Sequence, residues 1–346
     1  MGAIGALNIA ITADPEIAVP PKLYGGIERI IDLLAHGLAR RGHQVTLFAH
    51  PESNTAGRLV PWLGRSSASY QDTARNAQVL WQQVRSERFD LVHSFSRIAY
   101  MTPILPLRVP KLMTYQREIS PRSVRLGHGL SRGTLQFSAI SRWMMQPVRR
   151  LGRWHLVPNG VALDTYTFRA DVPDDAPLAF LGRVEEIKGP HLAIQVAKAA
   201  NAKLIIAGNV PTEHRAWFEQ HVAPHIDGRQ IRYLGPVDDR QKNDLLGSAR
   251  AFLMPILWEE PFGIVMAEAM ACGTPVLGLN RGAVPEVVED GVTGFVADDL
   301  AGLVASVGRL KAIDRRACRE RVERMFSEAA VVEGYLRVYQ KLIDRR

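Results

Sequence analysis

Two cysteines, Cys272 and Cys318, are too few to staple 346 residues into a disulfide framework, and a reducing cytoplasm suits them. There is also no apolar run of about 18 residues, the length a membrane span needs. The apolar start, residues 1–13, lacks the basic n-region of a signal peptide and reads as a first buried strand. A myristoylation reading of Met1-Gly2 fails at position 6, which is Ala where Ser or Thr is needed. No fixed-period repeat or low-complexity tract occurs. The dinucleotide fingerprint G-x-G-x-x-G is missing after the first strand, which argues against a nicotinamide enzyme. What remains is an ordinary globular composition, 47% hydrophobic and 23% charged. Its length suits two α/β domains of roughly 150–190 residues better than a single core.

Charge is plentiful but unevenly placed. The net of +8 divides into +10 for residues 1–165 and −2 for residues 166–346. Between Arg108 and Arg153 stand ten basic residues and one acid, Glu118. A solvated basic face would account for this stretch, and so would attraction to an anionic membrane surface or an anionic acceptor. Nucleic acid is disfavoured, because no nucleic-acid motif and no aromatic stacking platform accompanies the charge.

Short apolar runs alternate with longer amphipathic stretches, the pattern of parallel sheets with helical crossovers. In the first half the pattern predicts strands over 7–12, 44–49, 91–95, 111–115 and 136–140, and helices over 26–41, 72–87 and 141–151. Gly42 is placed to cap the first helix. The second half predicts strands over 178–181, 203–207, 231–234, 251–254, 275–278 and 294–296, with two or three helices and no strand from Leu300 onward. Residues 157–177 hold Pro158, an Asn159-Gly160 turn and the acidic stretch Asp171 to Asp175, which is linker chemistry.

Three loops carry candidate chemistry. The connection from Ala13 to Gly26 is long for a βα loop and ends in Tyr24-Gly25-Gly26-Ile27-Glu28 at a helix start. Its two glycines either make a tight entry turn or let a ligand's anion reach free N–H groups. Next, Gly182-Arg183-Val184-Glu185-Glu186-Ile187-Lys188-Gly189 sets two cations on a loop at a strand's carboxyl end. Such a pair can clamp a diphosphate, though two basic loop residues are commonly structural. The third is Trp258-Glu259-Glu260-Pro261-Phe262-Gly263-Ile264-Val265-Met266-Ala267-Glu268. Pro261 keeps Glu260 extended and in the loop, the helix begins near Phe262 or Gly263, and Glu268 falls in its second turn. Two carboxylates so placed can each hold a diol. Glu259 reads as an acid complementing the helix start.

Taken together, these segments resemble the retaining glycosyltransferases of family four over nearly the whole chain. Phe137-Ser138-Ala139-Ile140-Ser141, Val157-Pro158-Asn159-Gly160, Ala283-Val284-Pro285-Glu286 and Asp290-Gly291-Val292-Thr293-Gly294 extend the likeness. Most specific is Glu260-x7-Glu268 with Pro-Phe-Gly after the first Glu and Arg183-x4-Lys188 upstream. The resemblance implies a GT-B fold: two facing Rossmann-like, doubly wound parallel-sheet domains with a cleft between them. They would span 1–165 on the acceptor side and 166–328 on the donor-nucleotide side, with a last helix over 329–346 crossing back. It implies metal-independent transfer of a sugar from a nucleoside diphosphate sugar to an acceptor hydroxyl, with retention and no further cofactor. Arg183 and Lys188 would hold the diphosphate, Glu260 the sugar hydroxyls and Glu268 the ribose. Backbone groups of Phe262, Gly263 and Ile264 would line sugar and phosphate, and Gly25 and Gly26 would approach from the first domain.

One departure stands out. Many family members carry a His after the fifth strand, where this chain has Gln116, which can hydrogen-bond a sugar but cannot carry a proton as imidazole does. His93, at the end of the 91–95 strand, is a further catalytic candidate, or else a satisfied histidine at a strand end. His43 reads as structural. The sequence names neither donor nor acceptor. A UDP-sugar is the first choice of donor, and a glycan, natural product or lipid-linked molecule the choice of acceptor. The basic stretch allows peripheral attachment at the inner face of a membrane. A GT-B sugar-nucleotide epimerase and an inactive nucleotide-sugar-binding protein are the alternatives.

Overall fold

A computed structural model describes residues 5–22 and 25–344. Met1 and Gly2 with their myristoylation reading, Tyr24 of the glycine loop and residues 345 and 346 of the expected last helix lie outside the described residues. The chain forms two compact units, Met1–Asn159 with Glu328–Arg346, and Gly160–Ser327.

In the first unit the strands are β1 (Asn8–Thr12), β2 (Gln44–Ala49), β3 (Arg58–Pro61), β4 (Leu91–Ser94), β5 (Lys111–Tyr115), β6 (Leu135–Ala139) and β7 (Trp154–Leu156). They form one parallel sheet in the order β3-β2-β1-β4-β5-β6-β7. Near-continuous apolar runs such as Ile9 to Ile11 and Leu47 to Ala49 are buried because helices cover both faces of such a sheet. The helix Gly26–Ala39 turns Ile30, Ile31, Leu34 and Leu38 inward. At Gly37 a Cβ would lie 2.5 Å from Val332 Cγ2, so the missing side chain admits the final helix, Glu328–Ile343. Arg40 pairs with Glu328 beside that contact, and Tyr335 and Tyr339 are fully buried.

The expected helix over 141–151 shortens to Arg142–Met145 and a 3₁₀ turn at Gln146–Val148. Pro147 has no N–H and its ring crowds the preceding turn. The helix Pro121–Leu130 was not anticipated, since Gly127 and Gly129 mask its pattern. Pro121 pre-sets its first turn, and Ser120 accepts from the Ser123 N–H at 3.4 Å.

The second unit has β8 (Leu178–Leu181), β9 (Leu204–Ala207), β10 (Ile231–Tyr233), β11 (Ala251–Met254), β12 (Val276–Leu279) and β13 (Gly294–Ala297). They pair in parallel in the order β10-β9-β8-β11-β12-β13. Each sheet therefore reverses its winding once, between β1 and β4 in the first unit and between β8 and β11 in the second. At such a switch point the loops leaving adjacent strands diverge and open a crevice at the carboxyl ends.

At the start of β5 Lys111 is wholly buried, its ammonium donating to the Leu107 and Val109 carbonyls at 2.7 Å each. Burial pulls its pKa down from 10.5 to about 7. Between those values the unfolded chain keeps a proton the folded one has lost, so stability rises with pH, by roughly 1 kcal/mol per unit. Cys272 and Cys318, pushed by burial from 9.0 up to about 12, act in the opposite sense above pH 9. Urea unfolding between pH 7 and 9 should therefore show a rise that Lys111→Met abolishes. An equal slope in the variant would assign the rise elsewhere.

Candidate functional site

The candidate residues of the second unit gather at its switch point. Leaving β8, the chain forms a 3₁₀ turn at Glu186–Lys188 and enters the helix Pro190–Ala199 through Gly189, whose φ of 75° is left-handed. A Cβ at Gly189 would lie 2.0 Å from the Pro255 carbonyl oxygen, so glycine lets this loop close onto the one leaving β11. The Leu257 N–H donates to the Ile187 carbonyl at 2.9 Å and locks the two loops together. This sets Lys188 Nζ 2.8 Å from Glu260 Oε2, with both side chains largely buried. The Trp258 indole N–H donates to the same oxygen at 3.0 Å, and Lys188 Nζ lies 4.7 Å from the Trp258 ring centroid. One ammonium thus stands against a carboxylate and an aromatic face, with further N–H groups to offer a ligand.

The Glu260 backbone is clamped from the loop after β12. The Ala283 N–H donates to the Glu260 carbonyl at 2.8 Å. Gly282, at φ 55°, passes so close that a Cβ would lie 2.4 Å from the Glu260 nitrogen. Glu259 accepts from the Gly282 N–H at 2.5 Å. It therefore ties two loops together and does not complement the helix start, which lies further on. The helix is Ile264–Ala271, capped by Gly263 at φ 74°, and it presents its first N–H groups beside Glu260. Phe262 is buried against Phe326.

Glu268 lies in the second turn of that helix, nearly buried. Its Oε1 accepts from the Tyr166 hydroxyl at 2.6 Å and from Lys242 Nζ at 2.8 Å. Arg183 leaves β8 one residue past Gly182, with its Nη2 2.8 Å from Glu185 Oε1. Glu185 is buried and also lies 3.3 Å from His214 Nε2. Arg183 is thereby anchored at one end while its side chain stays 36% exposed, a cation held but still accessible.

In the first unit the pocket at the carboxyl ends of β1, β4 and β5 has a volume of about 280 Å³ and includes Asp14, Ser96, Arg97, Gln116 and Arg117 in its wall. Gln116 donates to Asn159 Oδ1 at 2.8 Å and accepts from Asn159 Nδ2 at 2.7 Å, a closed amide pair that fixes its orientation. Burial raises the Asp14 carboxyl above its ordinary pKa. Gly26 starts the helix Gly26–Ala39 as expected. At Gly25 a Cβ would lie 2.7 Å from both Pro21 Cβ and Glu28 Oε2, so a tight entry turn accounts for this glycine.

His93 needs correction as a ligand-facing candidate. None of its surface is exposed. Its Nδ1 pairs with the Tyr339 hydroxyl at 2.6 Å and its Nε2 with Thr114 Oγ1 at 2.7 Å. Burial keeps its pKa well below the ordinary value. It is a satisfied core histidine that fastens the final helix to β4 and β5. His43 is likewise structural, its Nδ1 accepting from the Leu7 N–H at 3.2 Å.

Residues 24–165 match the family model described as Glycosyltransferase Family 4, and residues 168–317 match Glycosyl transferases group 1. The chain is a GT-B glycosyltransferase of the family-four type. It is 27% identical to the D-inositol 3-phosphate glycosyltransferase of Xylanimonas cellulosilytica, over 93% of each chain. Its fold is similar to that of AviGT4, a glycosyltransferase involved in avilamycin A biosynthesis, with a TM-score of 0.76 at 24% identity over 98% of this chain and 99% of that one. HepE of Anabaena, in complex with UDP and glucose, gives a TM-score of 0.74 at 17% identity over 97% and 100%. No helix of this glycosyltransferase is long and apolar enough to cross a membrane among its described residues.

Sequence reasoning missed Lys242, Tyr166 and Glu185, which hold the site residues in place. Lys242 sits on the helix Asp239–Ser248 and Tyr166 in the linker, 26 and 102 residues from Glu268. No local spacing joins either to Glu268; only the topology does.

Proposed function

We propose that this glycosyltransferase is a retaining hexosyltransferase that takes its sugar from a nucleoside diphosphate donor without a metal ion. The observation that carries the reading is the Lys188–Glu260 pair, 2.8 Å apart beside the helix start at Ile264. A nucleoside diphosphate sugar has a dianionic diphosphate next to a ring of hydroxyls. A cation and a hydroxyl-accepting carboxylate side by side match that juncture. As the glycosidic bond breaks, negative charge grows on the diphosphate. Lys188, Arg183 and the N–H groups at the helix start are positioned to stabilise it. Glu260 then orients the sugar hydroxyls and Glu268 the ribose, its free choice of geometry already removed by Tyr166 and Lys242.

UDP is the first donor nucleotide to test, because the structurally similar HepE is described with UDP and glucose. Calorimetry with UDP, GDP, ADP, dTDP and NAD, without added divalent metal, should find one nucleoside diphosphate that binds. Glu268→Gln should weaken it about tenfold or more, since a hydrogen bond to a charged group contributes roughly 1.5–3 kcal/mol. Binding of NAD alone, or of no nucleotide, would overturn the reading.

A further inference from the structure

The stretch from 119 to 163 contains no acidic residue, and the structure shows where its cations go. The helix Pro121–Leu130 buries Val124 and Gly127; a Cβ at Gly127 would lie 2.3 Å from Ile98 Cδ1 and 2.9 Å from Leu135 Cδ2. Glycine therefore lets the helix lie flat on the first unit with its other face outward. That face carries Arg122, Arg125, Leu126 and Leu130, the spacing of neighbours on one helical surface. Leu126 is 53% exposed and Leu130 42%. The turn holding Arg149 and Arg150 runs on to Gly152, where a Cβ would lie 3.6 Å from His128 Nδ1 of the same helix. The turn thus adjoins the helix, and both arginines are exposed. None of these four arginines forms an ion pair among the described residues; along the chain the ion pairs of Arg117 and Arg169 flank them.

We propose that this face docks on an anionic lipid bilayer, the arginines meeting lipid phosphates and Leu126 and Leu130 entering the interface. The mixture of residues decides between partners. Arginines alone would suit any polyanion. Two bare leucines between them gain nothing from a nucleic-acid backbone. A bilayer offers headgroup charge and apolar depth at the same place. The basic bias of the first unit follows from this, as does the absence of carboxylates that would be repelled from the same surface.

The test is co-sedimentation of the full chain with vesicles of phosphatidylcholine alone and with 30% phosphatidylglycerol, at about 0.1 M and 1 M salt, where the screening length falls from about 10 to 3 Å. The expected result is binding to the anionic vesicles at low salt, at least tenfold above the neutral ones, and its loss at high salt. Arg122→Ser with Arg125→Ser should reduce binding at least fivefold, and Leu126→Ser with Leu130→Ser should do so by a similar factor. Both double variants should melt within a few degrees of the parent; if either does not, Arg125→Glu alone replaces it. Competition settles the partner: single-stranded RNA at equal phosphate should not displace the protein from the vesicles. Absent binding to anionic vesicles, unchanged binding in the variants or displacement by RNA would each overturn the proposal. UDP calorimetry on the same variants should match the parent, because these residues lie in the first unit and the proposed nucleotide contacts in the second.

Discussion

Replacing Lys188 with Ala should lower turnover by roughly 10²- to 10³-fold, the cost measured when a single preorganised charge-stabilising donor is removed from an active site. Lys188 is tied to Glu260 at 2.8 Å, lies over Trp258 and sits on a loop fixed by the Ile187–Leu257 hydrogen bond. Its removal leaves Glu260 a nearly buried carboxylate that has lost its counter-charge. On the proposed reading the leaving diphosphate also loses a cation that counts most when its charge is greatest. Removing an interaction that strengthens in the transition state lowers kcat and kcat/KM together, so KM should move little. His43→Ala is the comparison, since His43 lies in the first unit and its side chain accepts the Leu7 backbone N–H. Release of nucleoside diphosphate from the donor would be followed for both. Similar rates would remove Lys188 from the reaction.

The candidate site was legible in the sequence wherever its residues are close along the chain. Glu260 and Glu268 share one loop-helix unit, and glycine and proline mark its turns at Pro261 and Gly263. The parallel strands were legible for a similar reason: runs such as Ala251–Met254 are buried on both faces and apolar throughout. What escaped was either short or distant. The edge strands β3 and β7 have four and three residues and half-exposed patterns that look like loop. Lys242 reaches Glu268 because its helix, Asp239–Ser248, packs beside Ile264–Ala271, and Tyr166 reaches it from the linker before β8. His93 misled because a strand's carboxyl end is where α/β ligands bind, and only the final helix, 246 residues away at Tyr339, reveals that the position is closed. Gln116 looked like a bare substitution for histidine. The structure gives it a partner, Asn159, from the Val157-Pro158-Asn159-Gly160 segment, so two motifs read separately form one locked amide pair.

The largest effect on stability should come from Arg315, which the sequence did not single out. Its guanidinium is buried and donates to the Arg169 carbonyl at 2.8 Å, the Ala249 carbonyl at 2.9 Å, the Gly247 carbonyl at 3.0 Å and Thr274 Oγ1 at 2.8 Å. Burial draws its pKa below the ordinary value, and the planar fork compensates by meeting an acceptor in each direction. It caps the last turn of the helix Asp239–Ser248, where a cation also opposes the helix dipole. Arg315→Met keeps much of the stem but orphans several buried acceptors, at a cost of about 3–5 kcal/mol. For a domain of this size that is roughly a 10 °C fall in melting temperature. Lys311→Met is the counterpart. Its ion pair with Asp174 is just as short, 2.7 Å, but both side chains are about 80% exposed, 80% and 79%, and its loss should cost less than about 1 kcal/mol. Scanning calorimetry of the two variants checks the contrast, and an Arg315→Met transition within about 2 °C of the parent would refute it. Below that transition the variant should still bind nucleoside diphosphate within about threefold of the parent. Arg315 touches the ends of the segments that carry Glu260 and Glu268, not those carboxylates themselves, so its loss should loosen the frame while leaving the Lys188–Glu260 pair in place.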